Sequence, residues 1–192
     1  MNIDKAVDLL KSTDALLEGH FLLTSGNHSD TYIQCAQLLS HPLVAIEFME
    51  DIAKHFNGRS ADVVVAPAVG GIIVAYEVAR LLETRAMFME REQGIMTLRR
   101  GFGIKKGEAV VVVEDVITTG GSVIEVGEAV YAAGGKVIGY ASIVNRSSGR
   151  FTPDEPYFYS LKMDVPIYKP GDCPLCAQKI PAVKPGSRKL KG

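Results

Sequence analysis

Charge of one sign is missing from this chain. Its 192 residues carry 21 lysines and arginines against 22 aspartates and glutamates, a formal net charge of −1. No basic field therefore draws it to nucleic acid or to an anionic membrane, and a small-molecule partner is favoured. Long apolar runs are missing too, since no window approaches the length a membrane span requires. Met1-Asn2-Ile3-Asp4-Lys5 places an acid early with no apolar signal core behind it, so the expected location is the cytoplasm. Cysteine is scarce: three residues cannot build the disulfide framework of a secreted domain, and Cys35 reads as a small buried hydrophobe rather than a nucleophile. Internal repeats and low-complexity blocks are absent. So are a Walker loop, with its lysine after the glycine, and a GxGxxG fingerprint. The length suits one α/β domain with small additions.

What the chain does have is a strand–loop–helix unit from Ala109 to Val130. Val110, Val111, Val112 and Val113 show no polar alternation, which marks a strand buried on both faces. Glu114 and Asp115 follow, then Val116, Ile117, Thr118, Thr119, Gly120, Gly121 and Ser122, and then a helical spacing of Val123, Val126 and Val130. Free N–H groups at a helix start, small residues and hydroxyls suit a phosphate. The two acids would repel it if they faced it, so they fit hydrogen-bond donors beside it, such as sugar hydroxyls, or a bound cation. The same residues could instead cap the helix and close an Asx-turn.

The flanking elements repeat the pattern. Ile3, Val7 and Leu10 predict an opening helix, or a broken pair around Ser12-Thr13-Asp14 if Leu16 and Leu17 belong to it. Residues 18–35 form two strand-like pieces around a polar turn, where His20 and His28 are expected to be solvated. Pro42 starts a helix whose core face is Val44, Ala45, Phe48, Met49, Ile52 and Phe56. A second buried strand, 62–66, ends in Pro67-Ala68-Val69-Gly70-Gly71 and leads into a helix from Ile72 to Ala79. A short strand near 86–89 precedes a basic, glycine-punctuated segment with Arg91, Arg99 and Arg100, and a further strand, 136–144, ends at Asn145-Arg146. Paired βα units with short glycine turns predict a parallel sheet with ligands at the carboxyl ends of its strands. An arginine at that edge suits a planar carboxylate, although it could equally be an exposed loop charge. Cys173 and Cys176 make half a zinc site. A metal there needs histidines or a second subunit, so packing or a redox-sensitive pair is preferred. The tail from Lys184 to Gly192 is basic and expected to be partly mobile.

The apolar run, two acids, two spacers and Thr118-Thr119-Gly120-Gly121-Ser122 resemble the phosphoribosyl diphosphate (PRPP) loop of the type I phosphoribosyltransferases. Phe21, Leu23, Ser25, Gly26, Ser29 and Tyr32 are similar to the hood of the orotate members, with Thr24 where many have a lysine. Pro67 to Gly71 resembles the family's diphosphate loop, and the basic segment its lid; Arg91 and Arg99-Arg100 stand where many members have Lys-x-x-Lys-x-His-Gly.

This resemblance implies an α/β type I phosphoribosyltransferase fold. It has a central, mainly parallel sheet flanked by helices, a hood at about 1–40, a lid at about 90–107 and a Cys-x-x-Cys tail at about 170–192. It implies transfer of phosphoribosyl from PRPP to orotate in pyrimidine synthesis, with a purine-type transferase and a PRPP-sensing regulator as alternatives. It also implies Mg²⁺ carried by PRPP and a homodimer with shared active sites. Asp115, Arg99 and Arg100 become the catalytic candidates. Arg91 and residues 114–122 would bind PRPP, while Thr118, Arg146, Ser25, Gly26 and Tyr32 would bind orotate.

Overall fold

Alternate valines of the 110–113 run face opposite ways, and both ways lead into core. In the computed structural model, which describes residues 1–185, all four are 0% exposed. Val111 and Val113 pack with Val64, Ala66, Phe48, Ile52, Val74 and Val78. Val110 and Val112 pack with Val63, Val65, Val123, Val126 and Val130. A strand dry on both faces needs a layer of helices on each. These layers are α3 (Pro42–Phe56) and α4 (Gly71–Leu81) on one side and α5 (Gly121–Ala132) on the other.

This strand, β6 (Ala109–Ile117), lies inside a six-stranded sheet of order β5-β4-β3-β6-β7-β8. Its companions are β3 (Val63–Pro67), β4 (Arg85–Glu92), β5 (Ile95–Leu98), β7 (Lys136–Asn145) and β8 (Tyr157–Lys162). Every pairing is parallel except that of β4 with β5. Parallel register brings the carboxyl ends of β3, β6 and β7 to one edge, with Val63 opposite Val110 and Ile117 opposite Asn145.

The N-terminal region expected as a hood consists of α1 (Ile3–Ser12), an antiparallel hairpin of β1 (Leu16–Leu22) and β2 (His28–Ile33), and the short α2 (Cys35–Leu39). The first helix is one piece, ending where Thr13 caps it and Asp14 turns with φ 54°. The C-terminal segment returns to this hairpin. Tyr168 and His28 exchange backbone hydrogen bonds at 2.9 and 2.8 Å; Val183 N–H donates to the His20 carbonyl at 2.8 Å, and its carbonyl accepts from Leu22 at 2.9 Å. Between these two contacts lie a 3-10 turn (Pro170–Asp172) and α6 (Pro174–Ala177).

Three features depart from the sequence expectation. β4 runs on to Glu92 because β5 pairs back onto it through a Gln93-Gly94 turn. Neither α2 nor β8 carries a periodic signal. β8 has two half-buried aromatics, an exposed tyrosine and then two buried residues, because it is an edge strand resting on β7. Among the described residues, no helix is long and apolar enough to cross a membrane. The basic tail beyond residue 185 lies outside the described residues.

Candidate functional site

The loop after β6 turns on Gly120, which sits at φ +84°, and a Cβ there would overlap the Phe151 ring. Glycine is therefore required twice over, for backbone conformation and for space. The turn opens directly into α5, whose first N–H groups lack intrahelical acceptors. Thr118, Thr119 and Gly121 are exposed and Ser122 is half-buried, while Thr119 Oγ1 accepts loosely from Gly121 N–H at 3.4 Å. A cavity of about 50 Å³ lies inside the loop, lined by Glu114 and residues 116–123. Donors converging on a small concavity at a helix N-terminus form an anion cradle.

Glu114 and Asp115 stand at its rim, both half-buried. The Pro67-to-Gly71 turn presses against them: a Cβ on Gly70 would overlap the Asp115 carboxylate, and one on Gly71 would come within 3.0 Å of Glu114 Oε1. The Ala68–Val69 peptide in this turn is cis. Asp115 Oδ1 accepts from Val116 N–H at 2.8 Å, which fixes its orientation. Burial, then the neighbouring Asp115, push the Glu114 carboxyl from 4.5 up to about 8. A carboxyl raised in the folded state binds protons on folding, so its contribution to stability is full below 4.5 and is lost as pH rises toward 8. Glu114→Gln removes that loss. Relative to wild type, the variant should gain on the order of 2 kcal/mol in urea unfolding between about pH 5 and about pH 9. An unchanged difference between the two proteins across that range would show Glu114 to be ionised throughout.

Arg146 completes the edge. Its N–H donates to the Ile117 carbonyl at 2.8 Å, which ties the end of β7 to the end of β6. Its side-chain Nε is buried and has no hydrogen-bond partner among the described residues. Burial lowers the guanidinium pKa, while Cys35 and Tyr32 act on it in the opposite sense. An unpaired buried donor on a cation is costly unless an anion meets it. Tyr32, from β2, acts electrostatically on Arg146, and its ring lies 5.7 Å from that of Phe21. Ser25 and Gly26 are at the exposed tip of the hairpin, where Ser25 Oγ accepts from Asn27 N–H at 3.5 Å.

Two neighbours of the site had no local signal. Cys35 is buried within the electrostatic reach of Asp115, Arg146 and Glu114, and burial raises its thiol well above the ordinary value. Phe151 floors the glycine turn from a loop with no regular structure.

The arginines of the basic segment are engaged elsewhere. Arg91 forms a two-pronged pair with Glu125 of α5, at 2.6 and 2.8 Å. Arg100 pairs with Glu90 at 2.8 and 2.9 Å, its guanidinium 5.6 Å from the Phe88 ring centroid, and Arg99 lies 3.5 Å from Glu92. The structure therefore brings together residues 114–122, Tyr32 and Arg146, whereas Arg91, Arg99 and Arg100 point to acids of their own surface. Their spacing along the chain carried no trace of these partners.

A family model of the phosphoribosyl transferase domain matches residues 34–172. The orotate phosphoribosyltransferase of Caldanaerobacter subterraneus subsp. tengcongensis is 50% identical over 190 residues, covering 99% of this chain and 100% of its own. That of Pelotomaculum thermopropionicum is 53% identical over 190 residues, again 99% and 100%. Among solved structures, the orotate phosphoribosyltransferase of Aeropyrum pernix superposes with a TM-score of 0.66 at 26% identity, covering 81% of this chain and 92% of that one.

Proposed function

The chain belongs to the phosphoribosyl transferase domain family, and from that premise we infer that it joins orotate to PRPP, giving orotidine 5′-phosphate and diphosphate in pyrimidine biosynthesis. The observation that carries the choice of orotate is the buried, unpartnered Nε of Arg146, at the end of β7 beside the anion cradle. Orotate is a free base with a carboxylate, and a two-pronged hydrogen bond to that group satisfies the guanidinium.

In this reading Thr118, Thr119, Gly120, Gly121 and Ser122 hold the 5′-phosphate, with Val116 and Ile117 supplying the backbone that aims them. Glu114 and Asp115 accept from the ribose hydroxyls. Tyr32, Thr118 and the Ser25-Gly26 turn join Arg146 around orotate. The bond from ribose C1 to diphosphate breaks toward an oxocarbenium-like state, and the orotate ring nitrogen forms the new bond to C1 as its proton passes to the departing diphosphate. The Asp115 carboxylate stabilises positive charge on the ribose, so no side-chain nucleophile is needed.

Magnesium enters with PRPP as part of the substrate. The crowded hard oxygens of Glu114 and Asp115 fit a divalent cation near them, because such a charge relieves their mutual repulsion. When bound, it neutralises the diphosphate leaving group.

Closure of the basic segment exchanges the glutamate partners of Arg99 and Arg100 for diphosphate and keeps water from the ribose. Both arginines are about half exposed and face acids of their own hairpin, which suits a lid that serves the site of a neighbouring subunit in a homodimer. The chain then works as one domain, with the hood over the base and the lid over the leaving group, and its location is the cytoplasm.

Incubation with PRPP, Mg²⁺ and one free base at a time tests this reading by diphosphate release. Orotate alone should be consumed, and adenine, hypoxanthine, guanine and uracil should be left. Turnover of a purine would reassign the base. PRPP binding with no base turned over would make the protein a PRPP sensor.

A further inference from the structure

The two halves of a metal site lie about 150 residues apart in the chain and meet in the fold. His20 is on β1, His28 opens β2, Cys173 caps α6 and Cys176 lies within it. One ligand atom from each lies within 4.8 Å of all the others. His20 Nε2 is 2.7 Å from His28 Nδ1, 3.5 Å from Cys173 Sγ and 3.8 Å from Cys176 Sγ, and Cys176 Sγ is 3.3 Å from His28 Nδ1. Tetrahedral zinc, with bonds of about 2.0 Å to nitrogen and 2.3 Å to sulfur, sets its donors roughly 3.3–3.8 Å apart. The three nitrogen-to-sulfur distances already have that size. The two nitrogens must part by about 0.6 Å, and the four donors, all within 4.8 Å of one another, must settle into that range.

The protonation pattern agrees. His20 Nδ1 lies 2.6 Å from the Ile180 carbonyl, which can only accept, so the ring proton belongs on Nδ1 and the Nε2 lone pair faces the cluster. A backbone carbonyl orienting a ligating imidazole in this way is the usual support of a zinc histidine. His20 and Cys173 are buried, His28 and Cys176 are half-buried, and both thiols are free. The expectation of solvated histidines is therefore corrected, and the histidines that a metal at Cys173 and Cys176 requires are at hand: the backbone pairing of Tyr168 and Val183 with the hairpin carries the two cysteines onto them.

We propose that His20, His28, Cys173 and Cys176 bind a structural zinc ion that fastens the C-terminal segment to the N-terminal hood. Two thiolates and two imidazoles in a closed tetrahedron select zinc over the harder cation that accompanies PRPP, and leave no open position for catalysis. Zinc binds cysteine as thiolate, and two thiolates balance its charge.

The test uses the full chain without a polyhistidine tag, purified under reducing conditions without chelators. Elemental analysis should find about one zinc per chain. Cys173→Ser with Cys176→Ser should lose it, whereas Cys35→Ser should keep it. The double variant should melt roughly 5–10 °C lower. Replacement of zinc by cobalt in the wild-type protein gives a readout independent of any variant's folding. Intense visible bands of tetrahedral cobalt with thiolate charge transfer are expected. A chain that takes up neither metal, or a cobalt spectrum of weak octahedral bands, would overturn the assignment, as would a Cys173–Cys176 disulfide persisting in reductant.

Discussion

Asp115→Asn lowers turnover by about 10²- to 10⁴-fold while the thermal midpoint stays close to that of wild type. Asparagine has the shape of aspartate, and its amide oxygen can still accept from Val116 N–H, the bond that orients the native side chain. It also fits under Gly70, where the aspartate carboxylate already leaves no room for a Cβ. What is lost is the negative charge that the proposed reaction places beside the ribose, needed most when C1 becomes positive. The loss should therefore fall on kcat more than on KM for PRPP. Steady-state kinetics with thermal unfolding of the same preparation separates the two effects. Unchanged turnover in a folded variant would remove Asp115 from the chemistry.

Arg146→Ala weakens orotate binding by about 10²-fold or more, the worth of a two-pronged charge-assisted hydrogen bond. PRPP binding should largely survive, because the cradle is formed by residues 118–122 and the α5 N-terminus. Stability of the ligand-free chain should hold as well, since the variant removes a buried donor with no partner among the described residues and breaks no ion pair. Calorimetry with each ligand separately is the appropriate measurement. Equal loss of both affinities would mean that Arg146 supports the loop instead of reading the base.

The parts of the molecule legible in the sequence are those where one physical requirement dominates. Four adjacent valines can be satisfied only by a strand with helices on both faces, and they are buried on both. Pro42 begins α3, as its missing N–H allows, and the glycine turn after β3 stops where the ligand edge starts. β8 was hidden because an edge strand preceded by Pro153 and Pro156 shows no clean alternation. The paired state of the lid arginines was hidden for another reason: Arg91 meets Glu125 only because α5 packs beside the β4–β5 hairpin. The cluster around His20 is the extreme case. Its four residues lie in two short, separate motifs, and only the return of the C-terminal segment to the hood joins them.

That return also sets an order of events during synthesis. The hairpin from Leu16 to Ile33 emerges from the ribosome well before Tyr168 and Val183, which pair with it. At about 5–20 residues per second the hairpin waits roughly 7–30 seconds for these partners. An isolated two-stranded hairpin is marginal in water. The sheet that presents the Thr118-to-Ser122 loop can therefore assemble first, and the N-terminal hairpin becomes fixed only after residue 183 has been made.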